Sequence, residues 1–177
     1  WSAFIGLNSG GTLVLQPGRS FDAKRICELI GEEGVNTVTI VGDAMARPII
    51  DAMSEADADY NMESLVVIAS AGAVLAPSVR ERLQELLPET MVLNNFGSTE
   101  TGHQGAAVGG DEIGTEGRPC FEMDETNAVF DDDFNRIEPG SGKMGKLART
   151  GRIPIGYYND PVKTAATFKE IGGVRWA

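Results

Sequence analysis

Thr37-Val38-Thr39-Ile40-Val41-Gly42-Asp43 is the stretch on which the fold turns. Its continuous β-branched run predicts a strand covered on both faces, and Gly42-Asp43 predicts the switch into a helix. Upstream, residues 21–33 place Phe21, Ile26, Leu29 and Ile30 at helical spacing, with Asp22 in the first turn and Gly34 just beyond the end. Before that, residues 12–16 lie between Gly-Gly and Pro-Gly and read as a short strand. Downstream, residues 64–69 repeat the strand pattern. Residues 78–87 read as a helix with Ser78 as its N-cap and Val79, Leu83, Leu86 and Leu87 on one stripe, and residues 91–93 begin another strand. Strands alternating with helices of this length imply parallel neighbours, because parallel pairing needs a crossover connection. The expected fold class is therefore α/β, a mostly parallel sheet with flanking helices over residues 1–112.

After Gly110 the texture changes. Residues 126–130 and 145–149 are short β-rich runs separated by Glu138-Pro139-Gly140-Ser141-Gly142, a turn-forming stretch. Residues 113–177 are expected to form a small antiparallel β subdomain with a tail, in which one short helical stretch follows Pro161.

Size and charge narrow the function classes. The 177 residues, 42% of them hydrophobic, suffice for one ordinary core plus a small appendage. Twenty-six acidic residues against 15 basic give a formal net charge of -11, whose field repels phosphate backbones and anionic membrane surfaces. Nucleic acid is thus not an expected partner. No apolar run approaches the roughly 20 residues of a membrane span, and no basic-then-apolar leader precedes the first strand. Cys27 and Cys120 are far apart and lack CxxC spacing, which fits a reducing, cytoplasmic setting. Cys27 falls on the apolar side of its helix and reads as a buried, inert thiol. Asp131-Asp132-Asp133 reads as a solvated loop rather than a cation site. The chain opens at Trp1 and stops at Trp176-Ala177 without a terminating signal, so an excised segment of a longer protein is expected.

Two expected strand ends bring small and polar residues to one edge of the parallel sheet, the edge where ligands usually bind. The first is Ser70-Ala71-Gly72-Ala73, whose near absence of side chains lets a planar ligand approach the backbone; a tight turn that needs Gly72 for its φ is the plainer reading. The second is Asn94-Asn95-Phe96-Gly97-Ser98-Thr99-Glu100-Thr101-Gly102, read as a loop after an apolar strand. Phe96 offers a stacking face, the hydroxyls and amides can donate to phosphate oxygens, and Glu100 offers a hard oxygen to Mg²⁺. On residues alone it reads equally well as a hydrogen-bonded Asx/ST turn with an exposed Glu.

Phe96-Gly97-Ser98-Thr99-Glu100 resembles the aromatic-Gly-x-Thr-Glu signature of the adenylate-forming (AMP-binding) superfamily of acyl-CoA synthetases, firefly-type luciferases and peptide-synthetase adenylation domains. Ser70-Ala71-Gly72-Ala73 is similar to its small-residue adenine turn. Gly156-Tyr157-Tyr158-Asn159-Asp160-Pro161, followed by Thr164 and Phe168, resembles its Gly-Tyr-x-x-x-Pro segment. Residues 138–147 resemble its Pro-Gly-x-x-Gly-x-Leu hairpin, so the resemblance covers nearly the whole chain. It implies that Phe96 flanks adenine, that Gly72 and Ala73 line it through backbone, and that Asn95 bonds near the base. Gly97, Ser98 and Thr99 would complete the nucleotide site, with Thr99 at the α-phosphate. Glu100 would hold Mg²⁺ while a substrate carboxylate displaces pyrophosphate from ATP, and Thr99 and Glu100 are the catalytic candidates.

An acyl group would run beside Ala71, Gly97 and His103, with Gly42, Asp43 and Ala44 as weaker lining candidates because missing side chains leave room there. Asp43 reads more simply as an N-cap of the helix that follows it. His103, the only histidine, is expected to shape the pocket or cap the loop rather than act as a base, because an ionised carboxylate needs none. Trp1, Trp176, Tyr157 and Tyr158 are expected to be packing residues.

The resemblance implies a central fragment of an acyl-CoA synthetase that uses ATP, Mg²⁺ and CoA, and the small, apolar residues at the neighbouring pocket positions point to a medium, long or polycyclic acid. The alternatives are an acyl-AMP ligase or adenylation domain that loads a carrier protein, and a non-catalytic nucleotide-binding module. The superfamily's Ser/Thr/Gly-rich phosphate loop, its Thr-Gly-Asp motif and its C-terminal domain with a catalytic Lys have no counterpart in the 177 residues. The isolated chain is expected to be inactive.

Overall fold

The computed structural model describes residues 2–108, 120–121 and 123–177. The boundary expected at 112/113 and the packing role expected of Trp1 lie outside these residues. The chain divides into two compact units, one of the described residues within Trp1–Asn95 and Ala107–Cys120, the other Phe96–Ala106 with those from Phe121 to Ala177.

The first unit opens with α1 (Ser2–Asn8), a short helix not among the expected elements. Residues 12–16 form no strand: Leu15 is 72% exposed, and an isolated extended run with no ladder partner has nothing to hold it as sheet. Helix α2 (Ala23–Glu33) starts two residues later than its apolar pattern, because Asp22 is the N-cap and accepts the Arg25 amide at 3.1 Å. Gly34 closes it in the left-handed conformation.

Then follow β1 (Thr37–Ile40), α3 (Gly42–Met53), β2 (Val67–Ser70), α4 (Pro77–Leu86) and β3 (Met91–Ser98). Strand β1 pairs with β2, and β2 with β3, both in parallel. Ile40, Ile68 and Val92 face a core completed by Cys27 and Ile30 of α2, Ala46 and Ile49 of α3, and Val79 and Leu83 of α4. The strand expected to be covered on both faces is covered on one. Thr37 and Thr39 are exposed, as is Met91 in the row of Thr37, because α2, α3 and α4 all pack on the opposite face with Ile40, Ile68 and Val92. Helix α4 begins at Pro77 rather than with Ser78 as its cap; Pro suits a first turn whose amides have no intrahelical partner.

In the second unit the tip of β3 turns back through residues 99–101 into β4 (Gly102–Val108). Strands β5 (Asn127–Phe130), β6 (Arg136–Ile137) and β7 (Lys146–Arg149) form an antiparallel sheet in the order β6-β5-β7. Helix α5 (Pro161–Thr167), N-capped by Asp160, precedes the hairpin of β8 (Lys169–Ile171) and β9 (Val174–Trp176). Ala128, Phe130 and Trp176 make a small core, with the two rings edge to face at 5.1 Å. Trp176 thus packs as expected, whereas Tyr158 is 94% exposed. Exposure follows from the turn at Asn159, whose φ of 53° redirects the chain toward α5. No described helix is long and apolar enough to cross a membrane.

Candidate functional site

At the carboxyl ends of the parallel strands, Ser70 on β2 is in register with Asn94 on β3. Both are buried, and the Asn95 amide reaches the Ser70 carbonyl at 3.5 Å. Asn94, the first residue of the expected polar loop, is the more enclosed of the two asparagines because alternation turns it toward the helices. Beyond Ser70 the chain enters the small-residue turn, where Gly72 adopts φ 81° and both Gly72 and Ala73 are exposed.

This turn is clamped to the β1–α3 junction. The Gly42 amide donates to Ser70 Oγ at 3.2 Å, the Ala71 amide to the Ile40 carbonyl at 3.1 Å, and the Asp43 amide to the Val74 carbonyl at 3.0 Å. A Cβ on Gly42 would lie 2.3 Å from the Val74 oxygen, at a φ of 52°. The space beside Gly42, read from sequence as room for an acyl chain, is therefore filled by backbone. Asp43 does not N-cap its own helix; its Oδ1 accepts the Ala76 amide at 2.8 Å, just before α4, and its Oδ2 takes Arg47. Two helix starts and one turn are thereby locked together.

In the second unit, Phe96 to Glu100 occupy the end of β3 and a tight turn rather than an open loop. The ST-turn reading of the hydroxyls holds at Ser98 and Thr101: the Ser98 amide donates to Thr101 Oγ1 at 3.0 Å, and the Thr101 amide to Ser98 Oγ at 3.2 Å. Buried Thr101 continues to Gln104 Oε1 at 2.9 Å, Gln104 to Asn127 Oδ1 at 3.2 Å, and Asn127 to Asp124 Oδ1 at 2.9 Å. This polar relay fixes the hairpin to β5. Gly97 is needed by the same hairpin, since a Cβ there would lie 2.1 Å from the Gly102 carbonyl oxygen, so the room it leaves is taken by β4.

The groups left outward are those of the expected chemistry. The Phe96 ring is 39% exposed and leans on Phe121 at 5.4 Å, Thr99 is exposed, and His103 on β4 is exposed. Glu100 accepts a hydrogen bond from the Tyr157 hydroxyl at 2.5 Å. That bond first, then its own backbone amide, hold the Glu100 carboxyl below the usual carboxylate range. Among the described residues no cluster of three His, Cys, Asp or Glu side chains could ligate a metal. Glu100 thus offers one carboxylate outside any such described cluster, a pattern that suits Mg²⁺, whose remaining ligands are commonly nucleotide phosphates and water.

The family model of the AMP-binding enzymes matches residues 1–158. The chain belongs to that family. It is similar to 3-oxocholest-4-en-26-oate--CoA ligase of Rhodococcus rhodochrous, 41% identical over 181 residues and covering 100% of this chain and 32% of that protein. It is also similar to a medium/long-chain-fatty-acid--CoA/3-oxocholest-4-en-26-oate--CoA ligase of Mycobacterium marinum, 43% identical over 176 residues, 99% of this chain and 32% of that one. The chain thus spans about a third of the length of these curated relatives. Among solved structures, an NRPS protein containing adenylation and PCP domains superposes with a TM-score of 0.75 at 23% identity, over 97% of this chain and 35% of that one. The Vibrio cholerae adenylation domain AlmE, in complex with glycyl-adenosine-5'-phosphate, gives 0.69 at 18%, over 86% and 30%. At these identities the likeness establishes the fold.

Within this AMP-binding chain, sequence reasoning missed Tyr157 as the partner of Glu100 and the relay through Thr101, Gln104 and Asn127. The Gly-Tyr-x-x-x-Pro segment was the available signal for Tyr157, but its tyrosine reads as packing until the hydroxyl's direction is known. The relay carries no signal of its own, since spaced Thr, Gln and Asn on short strands are ordinary in solvent-facing positions.

Proposed function

We propose that this chain carries part of the nucleotide and acyl site of an ATP-dependent carboxylate-CoA ligase. In that reaction a carboxylate oxygen attacks the α-phosphorus of ATP, pyrophosphate leaves, and the CoA thiol then takes the acyl group from the acyl-adenylate, releasing AMP. The observation that carries the reading is the register of Ser70 with Asn94, which puts the small-residue turn and the approach to the signature at the carboxyl edge of a parallel sheet. Gly72 and Ala73 offer an open backbone to adenine, Asn95 a side-chain amide near the base, and Phe96 a half-open ring face. Thr99 presents a hydroxyl to the α-phosphate. Ser98 contributes the turn that presents these groups, its amide and hydroxyl both being engaged by Thr101. A single outward carboxylate fits Mg²⁺, and Glu100 would hold it; when bound, the ion neutralises charge that builds on the phosphates.

Ala71 and His103, with the exposed backbone face of Gly97, are the proposed acyl-side residues. The relatives named for medium- and long-chain fatty acids and for a sterol-derived acid point to an elongated apolar carboxylate. The test is carboxylate-dependent exchange of labelled pyrophosphate into ATP by the natural full-length protein, over a panel of fatty and steroid acids. Exchange followed by formation of a CoA thioester is expected. Thioester formation only on a carrier protein would favour the acyl-AMP ligase alternative, and nucleotide binding without exchange would overturn the reading in favour of a binding module. The 177-residue chain alone is expected to give no turnover, because the transition-state contacts of the phosphate loop and the catalytic Lys are not in it.

A further inference from the structure

Tyr157 and Glu100 lie 57 positions apart in the chain, yet the phenol donates directly to Glu100 Oε1. The tyrosine is fixed from several sides. Its amide donates to Thr164 Oγ1 at 2.9 Å, and that hydroxyl donates in turn to the Asp160 carbonyl at 2.7 Å within the first turn of α5. The Lys163 ammonium sits 4.3 Å from the ring centroid, and Phe168 packs on the ring at 5.9 Å. Phe168 is buried, and Arg175 stacks on it while its guanidinium donates to the carbonyls of Pro154 and Ile155, just before the tyrosine. The hydroxyl is therefore delivered to Glu100 by a braced ring.

We propose that Tyr157 is a positioning residue whose hydroxyl holds the Glu100 carboxylate in the orientation that receives the divalent cation of a metal–nucleotide complex. The proposal rests on the reading of Glu100 as the metal-binding carboxylate. A glutamate at a turn tip has three side-chain torsions, and the freedom it keeps must be lost when it grips a cation. A bond from a fixed phenol removes part of that freedom before the ligand arrives. A carboxylate has about four lone-pair sites, so one phenol donor leaves acceptor capacity for the cation. The phenol also carries no charge to compete with a metal, whereas a lysine or arginine in its place would.

Tyr157→Phe removes the hydroxyl alone and keeps the contacts with Lys163 and Phe168. The measurement is titration of Mn²⁺, standing in for Mg²⁺, into the natural full-length protein saturated with a non-hydrolysable ATP analogue, with bound and free ion read by electron paramagnetic resonance. Tyr157→Phe is expected to weaken Mn²⁺ about 3- to 10-fold, the net worth of one ordinary hydrogen bond, since the bond orients the ligand without touching the ion. The KM for metal–ATP should rise by a similar factor with the melting temperature nearly unchanged. In a Glu100→Gln background the same substitution should have no further effect. Wild-type Mn²⁺ affinity in Tyr157→Phe, or an equal and additive loss in the double variant, overturns the proposal. Wild-type affinity in Glu100→Gln instead removes the metal role of Glu100 itself, so the two readings fail separately.

Discussion

Glycines that look like empty space are, at two positions here, places where backbone meets backbone. In sequence Gly42 and Gly97 look like room for an acyl chain, but a Cβ would lie 2.3 Å from the Val74 oxygen at the first and 2.1 Å from the Gly102 oxygen at the second. Neither obstacle is the end of a flexible side chain, so a strand or turn must move. Gly72 is different, with Val41 Cγ1 at 3.9 Å as its nearest neighbour and only its φ of 81° at stake. We predict that Gly42→Ala and Gly97→Ala each lose about 3 kcal/mol of stability or fail to fold. Gly72→Ala should lose about 1–2 kcal/mol. Urea midpoints of the three variants rank them, and a Gly97→Ala protein as stable as Gly72→Ala would show that the hairpin relaxes without cost. Sequence could not make this distinction, because it reveals that a side chain is missing but not what fills the gap.

At the scale of elements, the apolar period was legible wherever a helix buried one stripe. Helix α2 buries Cys27, Leu29 and Ile30 and exposes the Arg25–Glu28–Glu32 side, and α4 buries the expected Val79 and Leu83. Residues 12–16 have the composition of a strand but no ladder partner among the described residues, and pairing is the information a sheet needs and a local window lacks. The signature was legible because its chemistry is contiguous, but its geometry was not: the turn depends on Thr101, Gln104 and Asn127, and its carboxylate on Tyr157. Burial on α2 also has a consequence for pH. Desolvation, with a smaller contribution from Glu28, pushes the Cys27 thiol up to about 11 from an ordinary 9.0. An unfolded chain releases this proton near 9, and the folded one keeps it until about 11. The stabilising contribution is thus complete below pH 9 and is lost as pH rises through this window, at up to about 1.4 kcal/mol per pH unit. Stability of the wild type should fall more steeply between pH 9 and 11 than that of Cys27→Ala. Parallel curves would mean that the thiol is not protected by the fold.

For the whole molecule, the two units differ in what holds them. The first unit buries a continuous apolar cluster from three helices and the parallel strands. The second has a core of Ala128, Phe130 and Trp176, supplemented by buried polar residues Thr101, Gln104 and Asn127 in a hydrogen-bonded relay. Apolar burial contributes in proportion to area removed from water, whereas a satisfied hydrogen bond adds a net of only about 0.5–1.5 kcal/mol. The second unit is therefore expected to be the weaker. The elements themselves supply separate probes, since helices α2, α3 and α4 all lie in the first unit and dominate the far-ultraviolet signal, while Trp176, 9% exposed, reports on the second. With Trp1→Phe introduced so that one tryptophan remains, urea should shift the Trp176 emission at a lower concentration than it abolishes the helical signal. Deleting the relay through Gln104→Leu should lower the fluorescence midpoint and leave the helical one in place, because only the second unit loses its ties. Coincident transitions in both proteins would mean that the units unfold as one cooperative body, and the polar relay would then be part of a shared stability rather than the limiting support of the β3–β4 hairpin.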